Sequence, residues 1–193
     1  VGTLYGGRDP STLLASLSRL HDAGRLPPGS AVVQLAGPIL PDCLERISGV
    51  LQDLESRRIL QVDNRLLSPD EADRIGDSAD AHLLIDTNEA QTSLQVPAKL
   101  FRSIRLGRPI LALTYRESPA ERILARSGIP HVCVDPRLTN GEIDRQVLDF
   151  LRLPAGPYKP STWFLGEFDG RRQAGALAAI FDGLLTARAD AAC

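Results

Sequence analysis

The sequence predicts an α/β protein, a doubly wound parallel sheet of about six strands with helices on both faces. Apolar runs of strand length recur along the chain, and each is continuous rather than alternating, which is typical of strands buried on both faces of a sheet. Between them lie segments whose apolar residues recur at three and four positions, the helical period. A chain that alternates strands with helices in this way favours parallel pairing.

Five internal runs are predicted to be strands, and the chain opens on what resembles the end of a sixth. The opening stretch VGTLYGG ends this strand near Tyr5 and lacks the charged-then-apolar pattern of a signal peptide. We therefore expect the chain to be an excised part of a longer protein. The internal strands are predicted at 31–36, 59–63, 82–86, 109–114 and 130–134.

Seven segments between and after these runs are predicted to be helices. Two of them begin with a serine cap, a proline at the first helical position and a capping-box glutamate, from Ser68 to Glu71 and from Ser118 to Glu121. Glycines end three of them, as Gly107 does. The predicted helices cover 10–24, 41–57, 68–80, 97–107, 118–128, 140–153 and 170–188.

The same pattern divides the chain into a domain and an appendage. Residues 1–153 are expected to form one Rossmann-like domain. Residues 154–193 are expected to form a linker rich in proline and glycine, followed by a lone C-terminal helix. A helix placed after such a linker is predicted to pack against a neighbour outside the domain.

Composition and charge exclude several classes of function. The chain has 193 residues, a net charge of −2 and a pI of about 5.9, which argues against broad binding to nucleic acid. No apolar run approaches the roughly 18–20 residues of a transmembrane segment. The three cysteines are far apart and belong to no CxxC or Cys/His cluster, so neither a metal site nor a disulfide framework is predicted. We expect a cytoplasmic protein, free or peripheral to the inner face of a membrane.

The opening loop GTLYGGRDPS is the first candidate site, because ligands of parallel sheets bind beyond the carboxyl ends of the strands. Gly2, Gly6 and Gly7 allow the backbone to approach a ligand, and Arg8 supplies a positive charge, so the loop is a candidate anion site. Neither GxGxxG nor the P-loop pattern occurs in the chain, and the alternative is an ordinary glycine turn.

A second candidate site lies between the strand that ends in LLIDT and the helix that begins with PAKLF. This connection is long for a strand-to-helix loop, where roughly 2–6 residues are usual, and it carries the hydroxyls of Thr92 and Ser93. Lys99, one of only two lysines in the chain, lies in the first helical turn. A cation there opposes the helix dipole by about 0.3–1 kcal/mol unless an anion is bound. Lys99 therefore indicates a phosphate site, or alternatively a solvated lysine that points outward.

Five short motifs follow one another along the chain. They are GTLYGGRDP, VVQLAGPI, ADAHLLID, VPAKLF and LGRPILAL. In this order they resemble the C-terminal, donor-binding half of glycosyltransferases of the GT-B fold, group 1 family. The last three are the most specific, being similar to the family's Ala-Asp, apolar strand and Pro-x-Lys helix start. The likeness extends over about residues 2–150.

The resemblance implies a nucleotide-sugar-binding domain whose donor is a nucleoside diphosphate sugar. The diphosphate would lie between the opening loop and the helix start, with Arg65 near the base. An acceptor of unknown kind, whether saccharide, lipid or small molecule, would bind mainly to an N-terminal domain missing from this chain. No metal or cofactor is expected, because side chains and a helix dipole neutralise the leaving diphosphate. The expected donor-binding residues are Gly2, Gly6, Gly7, Arg8, Arg65, Thr92, Ser93 and Lys99.

One departure from the family's pattern concerns a pair of glutamates that many members carry. Leu94 and Arg102 occupy those positions here, and Glu89 lies five residues early. Lys99, Arg102 and Arg105 instead form a basic stripe, which indicates anion binding or a solvated face. The chain is expected to be the donor half of a glycosyltransferase, inactive alone and with no catalytic residue identified. The main alternative is a non-catalytic or degenerate nucleotide-sugar-binding module; a sugar-nucleotide epimerase of the same fold is disfavoured.

Overall fold

The computed structural model of the chain describes residues 1–86 and 95–190. Short parallel strands alternate with helices over most of this length. Within the described residues the strands are β1 (Val33–Ala36), β2 (Leu60–Asp63), β3 (His82–Ile85), β4 (Ile110–Leu113) and β5 (His131–Val134). The helices are α1 (Ser11–Asp22), α2 (Pro41–Ser56), α3 (Pro69–Ser78), α4 (Ala98–Leu106), α5 (Pro119–Ser127), α6 (Asn140–Leu151), α7 (Thr162–Glu167) and α8 (Gly170–Asp190).

The strands form two parallel sheets rather than one. β1 pairs with β2 in the first sheet, and the second has the order β3-β4-β5, with Ile110 of β4 opposite both His82 and His131. The predicted α/β class and the predicted parallel pairing are therefore confirmed. The positions of the five internal strands are also confirmed, each observed strand lying within its predicted run.

The prediction of about six strands in one sheet is wrong for the described residues, which contain five. The opening segment makes a single parallel bridge, from Leu4 to Ile39, instead of a strand. Its backbone departs from the extended conformation on both sides of that bridge, with φ of +120° at Gly2 and +53° at Gly6. A segment this short and this interrupted cannot continue a hydrogen-bonded ladder.

Helices cover both faces of the three-stranded sheet, as predicted. β4 is buried along its whole length, and its side chains alternate between two apolar clusters. Leu111 and Leu113 pack in the cluster formed with α1, α2 and α6. Ile110 and Ala112 pack in the cluster formed with α4, α5 and α7. This burial on both faces is the physical cause of the continuous apolar runs in the sequence.

The segment expected to be only a linker contains the additional helix α7. Ser161 caps this helix by accepting a hydrogen bond from the Phe164 amide, and the Phe164 ring is fully buried beside α4 and α5. The chain before α7 is held against the ends of two earlier helices, since the amides of Tyr158 and Ser161 each donate to a helix-end carbonyl at 2.7 Å. Residues 154–167 thus complete the second apolar cluster.

The last helix, α8, shows a different pattern of exposure. Leu177, Ile180, Phe181 and Leu184 recur at helical spacing, and each is more than half exposed. The prediction that this helix packs on a neighbour outside the domain stays a prediction. Among the described residues, no helix is both long enough and apolar enough to cross a membrane.

Candidate functional site

The candidate site is one end of a cavity of about 340 Å³ that lies between β1 and β3. The opening loop and the start of α4 meet at this end, beside the carboxyl end of β1. Three of the residues predicted from sequence line it together, namely Gly2, Arg8 and Lys99. We refer to these three residues as the cationic end of the cavity.

Lys99 is an exposed residue whose ammonium is directed toward the opening segment. Its Nζ donates a hydrogen bond to the carbonyl oxygen of Val1 at 2.7 Å. The ammonium lies over Gly2, where a Cβ atom would come within 1.7 Å of Nζ. Gly2 also has a φ of +120°, and the backbone of Gly37 packs against it. Only glycine satisfies both the backbone conformation and the space at this position.

The electrostatics of the cationic end leave a surplus of positive charge. Burial of the ammonium end lowers the pKa of Lys99, and the charge of Arg8 lowers that pKa further. The Arg8 guanidinium lies 5.1 Å from the centre of the Tyr5 ring. Within the part of the chain that the structure describes, neither Arg8 nor Lys99 forms an ion pair with a carboxylate. The arrangement therefore suits a bound anion, which would offset the repulsion between the two cations.

The start of α4 adds donors to the same region. No side chain caps this helix, whose N-cap position is Pro97. Helices α1 and α2 also lack a side-chain cap, whereas α3, α5 and α6 are capped by Ser68, Ser118 and Thr139, respectively. The first N–H groups of an uncapped helix carry a partial positive charge and are available to an anion.

The other two members of the basic stripe are occupied elsewhere. Arg102 forms ion pairs with Asp73 and, at 3.1 Å, with Asp77, both on α3. Arg105 donates to the carbonyl oxygen of Phe168 at 2.7 Å. The stripe is therefore neither a continuous anion site nor a free solvated face, and Lys99 alone in it faces the opening loop.

The remaining predicted residues either do not line the cavity or lie outside the described residues. Gly6 and Gly7 form the turn before α1 and do not line the cavity; the Gly6 carbonyl accepts from Arg46 at 3.4 Å. Arg65 is bound by Asp63 and Glu71, each at 3.0 Å. Thr92 and Ser93 lie outside the described residues, as do Glu89 and Leu94.

Sequence reasoning missed a polar cluster at the carboxyl ends of β3 and β4. Asp86 is 2% exposed and accepts a hydrogen bond from Thr114 Oγ1 at 2.9 Å. Thr114 Oγ1 also lies 2.8 Å from the hydroxyl of Ser118. The sequence carried a signal for this cluster, because an acid directly after an apolar strand ends at the ligand-binding edge of a parallel sheet.

A second missed acid, Asp135, follows β5 and is neutralised internally. Its carboxylate accepts from Arg137 Nε at 2.9 Å and from the Arg116 amide at 3.1 Å. The hydrogen bonds from the Arg137 side chain are the main cause that lowers the pKa of Asp135 to about 2. The Arg137 guanidinium in turn lies 4.6 Å from the centre of the Tyr115 ring.

Within residues 1–86 and 95–190, no group of three or more His, Cys, Asp or Glu side chains is arranged to hold a metal ion. Burial raises the pKa of the Cys133 thiol to about 12, so this sulfur is a poor ligand and a poor nucleophile. The expectation that no cofactor is needed stays a prediction.

Comparison with known proteins adds no family assignment. No protein-family model matches the chain, and no curated protein matches it either. The likeness to glycosyltransferases therefore depends on five short sequence motifs alone.

Proposed function

We propose that this chain is the donor-binding, Rossmann-like domain of a GT-B glycosyltransferase, and that the cationic end of the cavity binds the diphosphate of a nucleotide sugar. One observation carries the proposal. Lys99, in the first turn of α4, places its ammonium over Gly2 and near Arg8, and neither cation has a carboxylate partner among the described residues. A diphosphate supplies the missing negative charge.

The chemistry of sugar transfer is consistent with such a site. The leaving group is a nucleoside diphosphate, whose negative charge grows as the bond to the sugar breaks. Fixed donors that stabilise this charge lower the barrier. Lys99, Arg8 and the first N–H groups of α4 are donors of this kind, and charge-assisted hydrogen bonds to phosphate are among the strong ones.

One observation favours the alternative of a non-catalytic nucleotide-sugar-binding module. Arg102 stands where many members of the family carry a glutamate, and its guanidinium is tied to Asp73 and Asp77. An arginine cannot supply the carboxylate that this glutamate provides, and its guanidinium is already paired within the fold. The module would keep the diphosphate site and lack the second contact to the donor.

Titration calorimetry with a nucleoside diphosphate tests the diphosphate site, which both candidate functions require. Lys99→Ala should weaken binding by about 1–3 kcal/mol, the scale of a charge-assisted hydrogen bond. Lys159→Ala is the matched control, because Lys159 is the only other lysine and lies exposed before α7. Equal affinity of the wild type and Lys99→Ala would contradict the proposal.

A second experiment separates the two candidate functions. A longer protein that contains this chain would be assayed for transfer or hydrolysis of nucleotide sugars. Turnover supports the glycosyltransferase, whereas diphosphate binding without turnover supports the module. The 193-residue chain alone should show no transfer, since the proposed reaction needs a cleft closed by two domains.

A further inference from the structure

A second cavity lies at the opposite edge of the fold from the cationic end. It has a volume of about 430 Å³ and shares no lining residue with the first cavity. One wall is the loop 25–31, which leads from α1 into β1, and the other wall is the last turn of α6. Because β1 begins at Val33 and α6 runs back from the carboxyl end of β5, the second cavity adjoins the amino ends of the strands.

The floor of the second cavity is apolar and belongs to the core. Leu26 is 3% exposed and Leu148 is 8% exposed, and both are members of the larger apolar cluster. Leu151 stands at the rim, where it is 38% exposed. Pro27 and Ala31 complete the apolar lining. A hydrocarbon group placed here would therefore leave water and contact side chains of the core.

The loop that forms one wall is held in place by hydrogen bonds within the chain. The Arg25 amide donates to the Leu20 carbonyl of α1 at 2.8 Å. Further along the loop, the amide and the hydroxyl of Ser30 donate to the Pro27 carbonyl at 3.1 and 2.7 Å. The second cavity is thus preformed, as small-molecule sites usually are, and its volume lies in their range of roughly 300–1,000 Å³.

Two arginines supply the charged part of the lining. Among residues 1–86 and 95–190, no carboxylate forms an ion pair with Arg25. Asp144 is near enough to interact with the charge of Arg25, but its carboxylate is bound by Arg19 at 2.7 and 3.0 Å. Arg152 pairs with Asp149 at 3.4 Å, and both of these side chains are more than half exposed. An exposed pair of this kind contributes little, so both guanidinium groups are open to an anion.

We propose that the second cavity is a binding site for a small anionic amphiphile, a molecule with a carboxylate head group on a short hydrocarbon tail. The guanidinium groups of Arg25 and Arg152 hold the head group, since arginine meets a carboxylate through two parallel N–H donors. The tail lies against Leu26, Leu148 and Leu151. The ligand is a free molecule rather than a membrane surface, because two of these three leucines are recessed below the rim.

Titration of the chain with sodium octanoate, followed by the methyl NMR signals of the leucines, tests this site. Octanoate should shift the signals of Leu26, Leu148 and Leu151 until they saturate. Acetate lacks the tail and 1-octanol lacks the charge, so each should bind at least roughly tenfold more weakly than octanoate. Vesicles of anionic lipid should leave the same signals unchanged, because a membrane surface does not reach the recessed leucines.

Two exposed positions of the lining provide variants that keep the core intact. Arg25→Gln removes a cation and Leu151→Gln removes an apolar contact, and each should weaken octanoate binding roughly fivefold. Arg74→Gln is the matched control, because Arg74 is an exposed arginine on α3 that does not line the second cavity, and its affinity should equal that of the wild type.

The proposal is overturned if the wild type and Arg25→Gln bind octanoate equally well. It is also overturned if the shifts do not saturate or if 1-octanol binds as tightly as octanoate, since either result would indicate unspecific contact with an apolar surface. Saturable shifts produced by the vesicles would assign the site to a membrane and overturn it as well. The outcome is independent of diphosphate binding at the cationic end, which is measured separately.

Discussion

Charges at the carboxyl ends of the strands occur in two contrasting arrangements. After β5, the carboxylate of Asp135 is met by the side chain of Arg137 and by backbone amides, so the charge is neutralised within the fold. At the cationic end of the cavity, Lys99 and Arg8 approach each other without a carboxylate in the described residues. The first charge is therefore satisfied within the fold, whereas the second is left to the diphosphate that we propose binds there.

The largest expected effect is on the stability of the fold, and it follows from removing the carboxylate of Asp135. Asp135→Ala should lower the free energy of unfolding by about 1–3 kcal/mol, because it removes a carboxylate that is 4% exposed and accepts charge-assisted hydrogen bonds from Arg116 and Arg137. Urea unfolding measures the change. Asp149→Ala is the control, since its carboxylate is 54% exposed and lies 3.4 Å from Arg152. That substitution should cost about 0–1 kcal/mol. Equal losses in both variants would contradict the comparison.

The second expected effect is that acid removes the contribution of the Asp135 carboxylate to the free energy of unfolding. A folded-state pKa of about 2 lies below the ordinary value of roughly 3.9, so this stability is fully present above the ordinary pKa. It is lost as the pH falls through the ordinary pKa toward the folded one. We expect the wild type to lose about 1–2 kcal/mol more than Asp135→Asn between pH 6 and pH 3. Urea titrations at several pH values measure this, and parallel curves for the two proteins would exclude the assigned role of Asp135.

The third effect is on binding, at the cationic end. Gly2→Ala places a Cβ where the Lys99 ammonium lies, at a φ of +120° that alanine rarely adopts. Lys99 must move, so we expect diphosphate affinity to fall about tenfold, or about 1.4 kcal/mol. Gly49→Ala is the control, because Gly49 lies within α2 with nothing near its missing Cβ. It should leave affinity unchanged and add up to about 1 kcal/mol of stability. A folded Gly2→Ala chain with wild-type affinity would show that the diphosphate does not need Lys99 in this position.

The internal strands were predictable because burial on both faces leaves a continuous apolar run within the sequence of each strand. β4 is buried on both faces, so its sequence is uniformly apolar and identifies the strand without knowledge of its neighbours. Helix α7 was not predictable in the same way. It has six residues after a proline-rich stretch, and its burial depends on Phe164 packing against α4 and α5, which are distant in sequence.

The candidate site was predictable only in part, for a related reason. Lys99 could be identified because its conflict with the helix dipole is visible within one turn. Arg65 is paired with Glu71 in the folded chain. Glu71 also caps α3, where it accepts a hydrogen bond from the Ser68 amide at 2.9 Å. The pairing of Arg102 depends on α3 lying alongside α4. Such partners are fixed by tertiary packing, and the sequence pattern alone does not show them.

The smallest expected effect is the dependence of diphosphate affinity on alkaline pH. Burial and the charge of Arg8 lower the pKa of Lys99 in the free protein, and a bound anion raises it again. Affinity is therefore fully present below the free-state pKa and is lost as the pH rises through it. We expect the affinity of the wild type to fall as the pH rises from 8 toward the ordinary lysine pKa of roughly 10.4. Lys99→Arg should remain flat over this range, because a guanidinium keeps its charge. Calorimetry of both proteins measures the difference. Parallel falls in the two proteins would mean that another group titrates, and the positive charge stored at the cationic end would then not reside on Lys99.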